Sequence, residues 1–144
     1  MLQVLVRPDP VAASLTDSLR KDRLIAASLI VFPNLATACR ASSLLRDTPA
    51  EVVDVLPRIV LEHAKSMPGM PVDVDLLGSE ATGLLIETTG ADPTDLEAHV
   101  GDIASLLWET PTINGVRFSH DPQDCARLHA IHAQGERAIE WLVV

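Results

Sequence analysis

The sequence predicts an α+β domain: a ferredoxin-like antiparallel sheet made from two split βαβ units, with its helices packed on one face. Three observations lead there. Strand-like and helix-like hydrophobic periods alternate as strand, helix, strand, helix, and then do so again. The connections are short. Residues 81–144 repeat the logic of residues 24–80, and the strands read as half-polar. A small doubly wound parallel sheet is the rival arrangement. The 144 residues suit a single domain, with residues 1–23 forming a short strand and a connection ahead of the two halves.

Leu2 to Val6 alternates weakly and reads as a short strand. Leu24 to Phe32 is continuous, apolar and short, which points to a buried strand stopped by Pro33. Asn34 is a good N-cap for a helix over Leu35 to Leu45. Glu51 to Leu56 alternates with period two and reads as a strand with one buried face. Pro57 suits the first turn of a helix reaching about Met67, which Pro68-Gly69-Met70-Pro71 ends. Asp73, Asp75 and Glu80 then sit in an acidic loop without the register of a calcium site. Thr82 to Thr89 is the next strand. Asp92-Pro93-Thr94-Asp95 opens a helix, with Asp92 as cap and Asp95 near the positive helix end. Leu96, Val100, Ile103 and Leu107 form its buried stripe. Thr112 to Ser119 is read as a strand. Asp121-Pro122-Gln123-Asp124 opens the last helix, expected to run to about Trp141.

Composition narrows the function. Eleven Lys and Arg stand against 20 Asp and Glu, a formal charge of -9. An acidic surface repels phosphate backbones and argues against nucleic acid as a partner. Tyr is absent, and Phe and Trp number two each, so no stacking platform for bases exists. Cys39 and Cys125 make no disulfide framework and suit a reducing, cytoplasmic compartment. The longest apolar run is Leu24 to Phe32, where a membrane helix needs about twenty residues. No signal-peptide pattern opens the chain. The seven glycines are scattered, with none closer than five residues to the next. A phosphate cradle needs clustered glycines, so no nucleotide-binding loop is visible.

On the last helix Cys125, His129, His132 and Glu136 recur at spacings of four, three and four and share one stripe. All four are donor types that a transition metal accepts, with His120 at the helix entrance as a spare. The other reading makes the histidines boundary residues beside the apolar face of Leu128, Ile131, Ile139 and Leu142. His63 and Lys65 suit a helix C-terminus. His99 falls on a polar helix face and is expected in solvent. Cys39 is expected as a small core residue. Trp108 and Trp141 each end a helix, as packing or interface anchors.

Several stretches, taken in order, resemble one family. Ala27 to Phe32 with Asn34 to Ala38 is similar to the strand-then-helix segment of FAD-linked oxidases. Glu51 to Arg58 sits where that family has a "vElld-R" strand and helix start. Lys65-Ser66-Met67-Pro68-Gly69-Met70-Pro71 resembles its "kpGmP" loop, and Leu84 to Glu87 its "lLvE" strand. Val116-Arg117-Phe118, Asp121-Pro122 and Leu128 to Ile131 resemble "vrFt-dDp-x-x-x-x-LW-x-iR". The family is the vanillyl-alcohol oxidase and p-cresol methylhydroxylase superfamily, nearest to its D-lactate dehydrogenase and glycolate oxidase-like members.

The resemblance implies a C-terminal, substrate-side cap domain within a larger FAD-dependent 2-hydroxy-acid dehydrogenase, inactive by itself. FAD would be bound mainly by a separate glycine-rich domain, and the parent protein could add an iron–sulfur cluster and lie peripheral to the inner membrane. The partners implied are a small carboxylic acid and the flavin domain. His132, His129 and Arg117 are the substrate-binding positions implied. The family's carboxylate-binding Arg is here His132, and its Trp is His129. An imidazole matches a carboxylate only when protonated, and less well than Arg's bidentate fork. The alternative is a stand-alone ferredoxin-like ligand-binding or oligomerisation module, a homo-oligomer through the apolar C-terminus.

Overall fold

The computed structural model describes residues 23–143, and side chains as far as residue 134. The strand expected at Leu2 to Val6 lies outside the described residues, as do the side chains of Glu136, Ile139, Trp141 and Leu142. Three strands, β1 (Leu24–Phe32), β2 (Ala50–Leu56) and β3 (Thr82–Gly90), form an antiparallel sheet in the order β1-β3-β2. β3, from the second half of the chain, therefore lies between two strands of the first. Ala27 and Val52 both stand opposite Glu87, while Leu29 and Asp54 stand opposite Leu85.

Four helices complete the described fold: α1 (Leu35–Leu44), α2 (Arg58–His63), α3 (Pro93–Leu107) and α4 (Pro122–Val143). They cover both faces of the sheet, not one as the sequence reading expects. Ala38, Ala41 and Leu45 at α1, with Ile103 and Leu107 of α3, pack on Ile30, Phe32, Val55, Leu84 and Ile86. Val60, Leu61 and Ala64 at α2, with Leu128 and Ile131 of α4, pack on Ala27, Leu29, Val31, Leu56 and Leu85. The reason is visible in the strands themselves. β3 is buried at all nine positions and β1 at its last seven. A strand that is apolar on both sides needs cover on both sides.

The stretch from Thr112 to Ser119, expected as a strand, forms only one bridge, Ala27 to Ser119. It runs antiparallel along the outer edge of β1 through a mixture of contacts. The Ile113 amide donates to the Val31 carbonyl at 2.7 Å, and Ala27 and Ser119 exchange backbone bonds at 3.0 and 2.9 Å. Between them the Asn114 side chain replaces a rung: its Oδ1 accepts from the Val31 amide at 2.8 Å, and its Nδ2 donates to the Leu29 carbonyl at 2.9 Å. Gly115, at φ +77°, turns the backbone away. That left-handed residue is what breaks the ladder.

The helix ends follow sequence closely. Asn34 Oδ1 accepts from the Thr37 amide, and Asp92 Oδ1 from the Asp95 amide, at 2.8 and 2.7 Å. The Asp95 carboxylate in turn accepts from the Ala91 amide at 2.9 Å, just before the cap. In the second D-P-x-D run Asp121 instead accepts from Gln123, and Asp124 from the Ser119 hydroxyl. α2 is shorter than expected, turning at Ala64 well before Met67. α4 runs slightly past Trp141. A Cβ on Gly90 would stand 2.4 Å from the Leu96 amide nitrogen, so only glycine lets α3 begin so close to β3. No helix among the described residues is long and apolar enough to cross a membrane.

Candidate functional site

Asp54 and Glu87 are the two acids buried in the sheet, 5% and 4% exposed. Both project from the face beneath α4, on adjacent strands, diagonal to one another. A carboxylate buried there needs a partner, because desolvation penalises its charge. α4 supplies two. His129 Nδ1 lies 3.3 Å from Glu87 Oε1, and His132 Nδ1 lies 3.2 Å from Asp54 Oδ2. The rings are 6.1 Å apart, centre to centre. The i, i+3 spacing sets both histidines over the sheet, while Leu128 and Ile131 fill the core beside them.

The two pairs differ in setting. His132 is largely covered, and so is Asp54. His129 has 61% of its side chain exposed while its Glu87 partner has 5%. His129 stands at the side of a cleft of about 1030 Å³, where the start of β1 meets the first turns of α3 and α4. Leu24, Ile25, Pro93, Leu96, Pro122 and Ala126 give that cleft its apolar wall. Arg23, His120, Cys125 and Glu97 add polar groups, with Glu87 beside His129.

The Cys125 Sγ sits 3.5 Å from the Ser119 carbonyl. Burial pushes its thiol pKa up, and the charges of Glu87 and Asp124 push it further. Cys125 is thus a protonated thiol at neutral pH, poorly suited to be a thiolate ligand or nucleophile. The stripe of Cys125, His129 and His132 diverges: toward backbone carbonyls, toward Glu87 and toward Asp54. Among the described residues no group of three His, Cys, Asp or Glu side chains is placed to hold a metal ion.

Of the three substrate-binding positions implied by resemblance, only His129 lines the cleft. His132 is turned onto Asp54. Arg117 is exposed and borders a separate hollow of about 310 Å³ with Asn114, Phe118 and Asp124. Three smaller expectations change as well. His99 is only partly in solvent; its Nδ1 lies 2.6 Å from the Thr89 carbonyl and its Nε2 3.3 Å from Asp95. Trp108 anchors nothing among the described residues, being 84% exposed. Cys39 is only half-buried. In the acidic loop Asp73 caps the short turn Val74–Leu76, and Asp75 pairs with Lys65 at 3.2 Å.

Sequence reasoning missed Asp54 and Glu87. The signal was an acid following apolar residues within a strand, Asp54 in EVVDVL and Glu87 in LLIETT.

The starts of α1, α3 and α4 leave no open pyrophosphate site for the flavin implied by the resemblance. A pyrophosphate binds unclaimed N–H groups at a helix N-terminus. Here Asn34, Asp92 with Asp95, and Asp121 already occupy the starts of α1, α3 and α4, and three of those four are acids. Cys39 and Cys125 lie on helices over opposite faces of the sheet, so they cannot share an iron–sulfur cluster. Comparison with known proteins finds no matching family model, no matching curated protein and no matching solved structure.

Proposed function

We propose that this chain is the substrate-binding cap of an FAD-dependent 2-hydroxy-acid oxidoreductase. Its flavin, and any iron–sulfur cluster, would be carried by a separate domain. The observation that carries the reading is the His129–Glu87 pair beside an apolar cleft. A buried carboxylate on Nδ1 fixes the imidazole's orientation and favours the tautomer with its proton there. Nε2 is then the nitrogen that meets a ligand hydroxyl and accepts its hydrogen bond, the position of a general base. The apolar wall excludes water around that contact. Arg23, on the same cleft and 3.5 Å from Glu51, is the cationic group suited to the acid's carboxylate. His132, turned onto Asp54, seats α4 on the sheet.

The ferredoxin-like reading of the fold belongs to the same proposal. With residues 112–119 following β1, the order becomes edge segment, β1, β3, β2, the order that two split βαβ units generate. The alternative of a stand-alone oligomerisation module draws its support from the exposed Trp108 and Leu106, which share one shallow hollow.

Imidazole NMR signals during titration with D-lactate or another D-2-hydroxy acid test the cap reading. His129 should respond and His99 should not. Saturating hydroxy acid that leaves His129 unmoved would overturn it.

A further inference from the structure

Resting on the hydroxy-acid reading for the head group, we infer that the ligand of this cleft carries an extended apolar body, an alkyl chain or an aryl group, in place of lactate's single methyl. The cleft's 1030 Å³ stands at the top of the range of about 300–1,000 Å³ that accommodates drug-sized ligands. Lactate would leave most of it to water. The walls match a long tail. Leu24 and Ile25 come from β1, Pro93 and Leu96 from α3, and Pro122 and Ala126 from α4. The ionisable groups set the direction. Glu87 and His129 are paired with each other, and Arg23, which also reaches Glu51 at 3.5 Å, is the cation on the cleft that complements a carboxylate. An acid whose head meets these groups lays its chain along the apolar wall. Each methylene removed from water there should tighten binding about fourfold.

The test is a calorimetric titration of the whole chain with D-2-hydroxy acids of rising length, from lactate through 2-hydroxybutanoate and 2-hydroxyhexanoate to 2-hydroxyoctanoate, all below their aggregation thresholds. A parallel series of plain fatty acids lacks the hydroxyl. Kd should fall about fourfold per methylene. Ala126→Trp fills the cleft from an exposed helix position. It should weaken 2-hydroxyoctanoate more than tenfold and flatten the dependence of Kd on chain length.

The two readings fail separately. Hydroxy acids that bind with no dependence on length would overturn the long-tailed ligand and leave the head-group assignment standing. Fatty acids that bind as tightly as the hydroxy acids, with the expected slope, would support the apolar body and overturn the hydroxyl contact at His129. No binding of either series would overturn both. A slope that survives Ala126→Trp would place the tail elsewhere and sink the inference.

Discussion

On the α1 and α3 side of the sheet, Ile30, Phe32, Leu84 and Ile86 meet Ala38, Ile103 and Leu107. The buried polar groups there are hydroxyls that donate to nearby carbonyls: Ser28 to Arg117, Thr82 to Glu80, Thr88 to Pro49. The α2 and α4 side has a comparable apolar cluster but also buries Asp54 and Glu87 against histidines. Hydroxyls are satisfied by one bond and cost little. Buried carboxylates are costly and hold only with matched partners. One side of the sheet is apolar with neutral hydroxyls, and the other adds two acid–histidine pairs to its apolar cluster.

Truncation on the apolar side should give the largest effect. Leu107→Ala should cost about 2–5 kcal/mol in denaturant unfolding, and a loss below about 0.5 kcal/mol would mean that Leu107 carries little of that core. Gly90→Ala sets a Cβ against the Leu96 backbone and should cost about 1–3 kcal/mol. If it were neutral, the close approach of α3 to β3 would be wrong. On the other side, Asp54→Ala should cost about 1–3 kcal/mol. A double-mutant cycle with His132→Ala should return about 0.5–3 kcal/mol of coupling. Zero coupling would dissolve the contrast between the faces.

The smallest effect is a titration. With Cys39 replaced by Ser, alkylation of Cys125 should show a midpoint above the ordinary thiol value of 9.0. The folded state holds that proton more tightly. Its contribution to stability is therefore complete below the unfolded pKa and fades as pH climbs through the raised folded value. A midpoint at or below 9.0 would mean that the thiol is not buried beside Glu87 and Asp124 as described.

Much of the framework was legible from residue order. Leu24–Phe32 was bounded correctly because Pro33 terminates an apolar run, and α1 and α3 because Asn34 and Asp92 announce themselves as caps. The placement of helices on both faces was written in the same runs but misread as half-polar strands: Thr82 to Gly90 includes Glu87, Thr88 and Thr89, all of them buried. Those polar residues have partners far along the chain, Thr89 donating to Glu51 at 2.6 Å and Thr88 to Pro49. Local periodicity contains no information about such pairings. The site suffered likewise: the histidines were visible as a helical stripe, but the acids that orient them come from two strands and converge only in three dimensions.

Asn114 has a consequence beyond the fold. Its amide occupies the Val31 N–H and the Leu29 carbonyl, groups that a strand arriving from another molecule would need to extend the sheet past β1. A side chain that imitates a peptide group thus works as a stopper against edge-to-edge aggregation, denying recruitment where bare backbone would invite it.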